Sequence, residues 1–388
     1  MNKNNNSSGS ENKFEFPIIK TESNCGCGNT VKSAQNTVQA INQSFVSGSV
    51  LTSVGLLPQV SSGLSFSDHW GTIKARFGTF RMDYSIAPGI YALGNPDDKS
   101  PVLVTANYKM SFDRLRGALP GRNIWILVLD TDGINVWCAA GKGTFGTEEL
   151  VARIKSSGLS SIVTHRKLIL PQLGAPGVAA HLVAKLSVFK VQYGPIRAED
   201  LPDYLDAGCK ATGQMRLMTF HLKERAVLIP IELMEALNAF FIISPVLLIL
   251  SGIIGPAGFW ANVSSYGFFA VLALMGAIAG GAVFNPLLLP YLPGRAFSVK
   301  GLSIGIVITL ILLYLRNINL QSWAGRLETL SWLLIIPSIS AYLAMNFTGC
   351  STYTSLSGVK KEMRWALPLQ MAAGAVGFVT WIGALLIS

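Results

Sequence analysis

The sequence predicts a Rossmann-like α/β domain followed by an all-α transmembrane domain of five helices, with a polar tail in front. Three observations support this. Half of the 388 residues are hydrophobic and only 13% are charged, about half the charged share usual in soluble proteins. The apolar excess is concentrated after residue 230, where five runs of about twenty residues are each long enough to cross a hydrocarbon core. Between about residues 61 and 226, strand-like and helix-like runs alternate, the pattern of an α/β domain with a largely parallel sheet.

Residues 1–60 are rich in Asn, Ser, Gly, Gln and Lys. The expectation is a disordered tail with a short helix near Val31 to Ile41. Cys25 and Cys27 lie in it, either as a dithiol able to take a soft metal such as Hg(II) or as an incidental pair. Two thiols cannot hold an iron–sulfur cluster, which needs four ligands.

Residues 61–228 are the second unit. Pro101 to Tyr108 reads as a strand entering a loop, and Ser111 to Leu119 as a helix. Asn123 to Asp130 is a strand of Ile, Trp, Leu and Val, and a helix follows Gly146. Ser161 to His165 and Leu168 to Leu170 are short strand candidates. Val178 to Leu186 reads as a helix, Val188 to Tyr193 as a strand and Ala198 to Leu205 as a short helix. Loops at the carboxyl ends of parallel strands are where such sheets bind ligands. The candidate loops contain Thr105, Ala106 and Asn107, the stretch Asp132 to Lys142, Gly174-Ala175-Pro176-Gly177, and Gly194.

Residues 229–388 supply the spans, near Leu233 to Ile254, Tyr266 to Phe284, Ser298 to Leu315, Leu330 to Phe347 and Ala366 to Ile387. Lys223, Arg225, Arg295, Lys300, Lys360, Lys361 and Arg364 flank one side, against Arg316 and Arg326 on the other. The positive-inside rule then predicts a multi-pass protein of the inner (cytoplasmic) membrane, with the N-terminal domain in the cytoplasm and the C-terminus outside. Span interiors carry almost no acids or His, which argues against ion transport. Gly276, Gly280 and Gly281 suit close helix packing. The hydroxyl-rich loop Asn346 to Glu362, with Cys350, reads either as a contact to the α/β domain or as a solvated turn. The net charge of +10 fits an anionic bilayer surface better than nucleic acid, because the basic residues form no compact run interleaved with aromatics.

One stretch stands out: Asn135-Val136-Trp137-Cys138-Ala139-Ala140-Gly141-Lys142. Small residues there let a flat ligand approach the backbone, and Cys138 offers a soft donor. Cys209, His165, His181 and His221 are scattered, with no spacing that suits zinc. Gly141-Lys142-Gly143-Thr144-Phe145-Gly146 matches a dinucleotide-binding pattern, which alone is weak. Lys142 and the N-terminus of the helix that follows favour a thiolate at Cys138. A small buried hydrophobe is the alternative for Cys138, and a core role the alternative for Trp137.

Residues 123 to 157, above all this octapeptide, closely resemble the mercury-methylating corrinoid proteins of the HgcA family, and the likeness extends over the membrane tail. The α/β domain also resembles the corrinoid domain of the corrinoid iron–sulfur protein large subunit. That relative carries a four-Cys iron–sulfur segment which is absent here. The resemblance implies a corrinoid cofactor (cobalamin or a related cobamide) with Cys138 as lower axial cobalt ligand and catalytic group. It implies cofactor contacts from the loop residues above and from Asn135 to Thr144. It further implies methyl transfer to Hg(II), a methylated pterin or methyl carrier protein as donor, and the ferredoxin-like partner HgcB with two 4Fe–4S clusters. The Asp-x-His-x-x-Gly module of ordinary cobalamin methyltransferases is missing, in keeping with thiolate ligation. Two other readings remain open: a methyl carrier with a non-mercury acceptor, and a Cys-based membrane metal transporter.

Overall fold

The computed structural model describes residues 43–78, 83–350 and 356–388. The Cys25/Cys27 pair, the helix expected near Val31 to Ile41, and the middle of the Asn346–Glu362 loop with the Cys350 side chain lie outside them. Among the described residues, seven strands form one sheet: β1 (Val46–Thr52), β2 (Gly55–Val60), β3 (Gly89–Leu93), β4 (Val102–Ala106), β5 (Ile124–Leu129), β6 (Lys167–Leu170) and β7 (Lys190–Tyr193). Their order is β1-β2-β3-β5-β4-β6-β7.

The strands β5, β4, β6 and β7 are mutually parallel, while β1–β2 and β3–β5 are antiparallel. The sheet is therefore mixed, with its parallel half carrying the predicted loops. Residues 46–60 correct the expected tail. They form a hairpin whose second strand pairs with β3, so the α/β domain begins before residue 61. Its Gly-, Ser- and Pro-containing strands show little apolar alternation. The segment expected as a strand at Ser161 to His165 is instead a helical turn, Leu159–Ile162, entered through left-handed Gly158.

Helices cover both faces. The helices α1 (Phe66–Arg76), α2 (Lys109–Gly117), α3 (Val136–Lys142), α4 (Thr147–Ser156), α5 (Leu159–Ile162), α6 (Ala180–Ser187) and α7 (Leu201–Asp206) follow in chain order. The central strand β5 shows why. Successive side chains of a strand point to opposite faces, so Trp125, Leu127 and Leu129 join the core under α3 to α6. Ile124, Ile126 and Val128 join the core under α2 and α7. All six are buried, the continuous apolar run expected of a strand covered on both sides.

A short helix α8 (Leu222–Ala226) leads into five long helices: α9 (Ile229–Ile254), α10 (Phe259–Leu288), α11 (Phe297–Arg316), α12 (Trp323–Asn346) and α13 (Leu356–Ile387). All five are long and apolar enough to span a membrane. Glycines set their approach: a Cβ on Gly281 or on Gly301 would sit 2.6 Å from the Ser340 carbonyl. Lys300, one of the basic residues at the span ends, lies in the first turn of α11 and donates to the Leu289 and Leu292 carbonyls. The α/β domain meets this bundle through α8. Arg197 bonds Glu224 at 2.7 Å, and the neighbouring Arg225 donates to the Pro286 and Leu287 carbonyls.

Candidate functional site

The parallel strands β4, β5, β6 and β7 end at Ala106, Leu129, Leu170 and Tyr193. The loop after β5 leads into α3, which contains Cys138, the loop after β6 lies on it, and the loop after β7 bonds to the one after β6. Asn135 caps this helix: its Oδ1 accepts the Cys138 N–H at 3.0 Å. Gly143, left-handed at φ 89°, ends it. The stretch Asp132 to Lys142, expected as a loop, is therefore a loop only as far as its cap: Val136–Lys142 is a helix of its own, started by the Asn135 side chain. Cys138 sits in the first turn of this helix, so the helix N-terminus beside it is that of α3 and not that of the following helix α4.

The exit of β5 is a tight turn in which Asp132 and Gly133 both have positive φ. The buried Asn107 side chain, just past β4, holds this turn. Its Oδ1 accepts the Thr131 N–H at 3.1 Å and the Gly133 N–H at 3.0 Å, and its amide nitrogen donates to Asp130 at 3.2 Å. Two backbone donors at one end of the side chain settle which end is the oxygen. The Thr131 hydroxyl lies 2.8 Å from Asn107 Oδ1 and 2.7 Å from the Ile134 carbonyl, and its single proton serves one acceptor at a time. Glu149 of α4 accepts the Asp130 N–H.

The loop after β6 lies directly on α3. A Cβ on Gly177 would strike the Phe145 carbonyl and come within 3.0 Å of Ala140 Cα, and one on Gly174 would enter the Phe145 ring. These two glycines, with Ala175 and Pro176 between them, are thus brought to the Cys138 helix, and their smallness serves chain packing. Phe145 is fully buried beneath them. Gly194, past β7, bonds back to the Leu170 carbonyl. Thr105 and Ala106, expected in a loop, lie within β4 and are buried. Asn107 and Asn135 spend their side chains on the turn and the cap. Val136, Ala139 and Ala140 face the core, while Trp137 and Cys138 are half-buried and Gly141, Lys142 and Gly143 are exposed.

Two observations show what this surface has room for. A Cβ on Gly141, one turn beyond Cys138, would meet nothing within 4 Å. The Thr144 hydroxyl is buried without a hydrogen-bond partner, a group that calls for an explanation such as a water or ligand. Among the described residues no three His, Cys, Asp or Glu side chains gather as a metal-ligand set. A metal held by Cys138 would therefore bring most of its own ligands, as a metallated macrocycle does. The other cysteine with a described side chain, Cys209, is half-buried after α7, where burial pushes its thiol up.

The sequence singles out the Cys138 stretch, but as part of a loop rather than a helix; it places Asp132 and Gly133 in that loop without the turn they form, and it gives no role to Thr131 or Glu149. The Asp-Gly pair was the available signal for the turn. No local signal links Thr131 to Asn107.

Residues 77–194 match a protein-family model described as the CO dehydrogenase/acetyl-CoA synthase delta subunit. That stretch includes β3 to β7 and every candidate loop. Among curated relatives, the acetyl-CoA decarbonylase/synthase complex subunit gamma of Methanocaldococcus jannaschii is 36% identical over 97 residues, 24% of this chain and 20% of the relative. The subunits of the same name from Methanopyrus kandleri and Methanothermobacter thermautotrophicus are 31% and 30% identical over 128 residues. They cover 32% of this chain and 27% and 28% of the relatives. The chain thus spans between a fifth and three-tenths of the length of these relatives. The matches bear out the similarity of the α/β domain to the corrinoid domain of the corrinoid iron–sulfur protein large subunit.

Proposed function

We propose that the protein is a membrane-anchored corrinoid-dependent methyltransferase that transfers a methyl group to Hg(II), with the Cys138 thiolate as the lower axial ligand of cobalt. The observation that carries this reading is the placement of Cys138. It stands half-buried on a capped helix at the carboxyl edge of the parallel strands, in a domain similar to subunits of acetyl-CoA decarbonylase/synthase complexes. The open face at Gly141 and the unpartnered Thr144 hydroxyl suit a flat ring with polar edge groups. A corrinoid bound there supplies a methyl group carried on cobalt.

The chain's own residues do the rest. Cys138 would hold the cobalt through a single thiolate donor; a thiolate, not a thiol, binds metal. Electron donation from that sulfur would favour methyl transfer to an electron-poor acceptor such as thiol-bound Hg(II). The Asn135 cap fixes the Cys138 backbone, and Gly141 keeps the adjoining surface clear. Thr144 has a hydroxyl free for a side-chain amide of the ring. The octapeptide Asn135 to Lys142 supports mercury as acceptor. Cys25 and Cys27 are a second proposed Hg(II) site.

The partners in this reading are the bilayer, a methylated pterin or methyl carrier protein as donor, and a ferredoxin-like protein with two 4Fe–4S clusters, HgcB, as electron source. The distribution of Lys and Arg supports a cytoplasmic α/β domain on the inner membrane. A second reading, a methyl carrier with a non-mercury acceptor, draws on the names of the relatives. The test is methylmercury formation by membranes containing the protein and its reductant. Cys138→Ala is expected to abolish it while the protein still inserts; full activity in that variant would remove Cys138 from the chemistry. Turnover with other thiol or metalloid acceptors but not with Hg(II) would select the second reading.

A further inference from the structure

We infer that Asn107 is a positioning residue for the Cys138 sulfur, acting from the neighbouring strand through the turn that leads into the Cys138 helix. The inference rests on Cys138 being the cobalt ligand. The last register pair between β4 and β5 is Ala106 with Leu129. One residue further on, the sheet ladder has ended and the Asn107 side chain takes over. It gathers the Thr131 and Gly133 N–H groups on one oxygen and the Asp130 carboxylate on its nitrogen.

This side chain is buried, so its bonds to the Thr131 and Gly133 N–H groups compete with no bulk water, while the bond to the exposed Asp130 lies at the edge of the buried region. The turn it holds bends back through Asp132 at φ 55° and Gly133 at φ 69°. A non-glycine residue in that region costs about 1–2 kcal/mol per residue and persists where the surroundings hold it. Two residues later the chain reaches Asn135, whose side chain caps Cys138. Backbone direction therefore passes in three steps from β4 to the turn, from the turn to the cap, and from the cap to Cys138. Asn107 touches none of the reacting atoms in this arrangement. It sets where the helix starts, and with it where the Cys138 sulfur stands. A neutral amide does this without adding net charge beside a thiolate.

The test uses the full chain in a membrane mimic, loaded with hydroxocobalamin, and reads the visible spectrum of the bound corrinoid. Wild type and Cys138→Ala define the thiolate-ligated and unligated spectra. Asn107→Ala is expected to lower the ratio of ligated to unligated cobalt about tenfold, the lower end of what loss of a supporting contact costs a metal site. Asn107→Asp, which sets a second carboxylate against Asp130, is expected to fall in between. Asn107→Asp combined with Asp130→Asn, which restores one donor and one acceptor with their roles exchanged, is expected to recover the wild-type spectrum. A residue that merely holds the fold would lower thermal stability and leave the spectrum of the folded, loaded molecules unchanged; that result overturns the inference. Should Asn107→Ala fail to fold, failure of the double variant to recover what Asn107→Asp loses overturns it equally. If Cys138→Ala already has the wild-type spectrum, the cobalt-ligand reading falls first and this inference falls with it.

Discussion

Two buried polar clusters start two residues apart at the end of β4, and they are built on opposite principles. From Asn107 a neutral amide reaches toward the Cys138 helix and holds a turn through backbone donors. From Lys109 a charged network reaches the other way. Its ammonium lies 2.6 Å from both Asp68 and Asp113, and Arg116 bridges the same two carboxylates at 2.8 Å. Arg116 also donates to the Ser61 and Gly63 carbonyls. Two acids and two bases balance within one buried quartet, which clamps α1 onto α2. Charge is thus placed where it locks helices together, and the turn leading to the proposed thiolate is held mainly by a neutral group. A buried charged network is costly to break and contributes little through its mere presence. A neutral brace fixes direction at lower electrostatic cost.

Breaking the charged cluster is the largest expected effect. Asp68→Ala leaves Lys109 and Arg116 with unbalanced buried charge and is expected to cost the α/β domain about 3–5 kcal/mol of apparent stability, measured by chemical unfolding. Folded molecules should keep their corrinoid spectrum; loss of that spectrum would mean the two clusters are not separable. The pH dependence has a definite sign. Burial alone pushes the Asp68 carboxyl up, but the Lys109 bond, the Ser65 backbone and hydroxyl donors and the Lys109 charge outweigh it, holding the group well below its ordinary value. A depressed carboxyl contributes stability that is fully present above its unfolded value, near 3.9, and is lost as pH falls toward the folded value. Acid unfolding of the wild type should therefore steepen below about pH 4, and Asp68→Ala should lose that component.

A middle-sized effect is expected at the loop that lies on the Cys138 helix. Gly177→Ala drives a methyl group into the Phe145 carbonyl and the Ala140 backbone. The loop must lift, at a cost of about 1–3 kcal/mol, and corrinoid retention should fall with it. Unchanged stability and retention would show that the loop moves freely and that its glycines are not packing residues.

The smallest effect has two signs. Gly141→Ala adds a methyl group where nothing lies within 4 Å, and Gly in a helix interior costs about 0.5–1 kcal/mol relative to Ala. The corrinoid-free protein should gain about that much stability, whereas the loaded protein should hold its cofactor less tightly because the methyl group occupies the ring face. A gain in both would place the ring elsewhere.

The central strand and the site octapeptide were legible for physical reasons, though the helix the octapeptide forms was not. Ile124 to Leu129 is apolar at every position because both faces are covered, and the octapeptide is distinctive in residue type as well as order. The five spans were legible because a bilayer demands long apolar helices. The hairpin at residues 46–60 was not. Its outer residues are exposed, with Leu51 and Leu56 facing outward, so the alternation that marks a half-buried strand is blurred by Ser, Gly and Pro. The five-residue strand β3 sits in a Gly- and Pro-containing stretch too short to show a period. Asn107 drew notice only as a loop residue. Its role depends on groups 23 to 26 positions away, a pairing that only the register of β4 against β5 creates.

The most direct measurement of the central claim is the visible spectrum of the full-length protein isolated with its corrinoid, compared with that of Cys138→Ala. The account predicts a thiolate-ligated cobalt spectrum in the wild type, and in the variant a bound corrinoid whose lower position has lost sulfur. Identical spectra would contradict it, whatever the two proteins do with mercury.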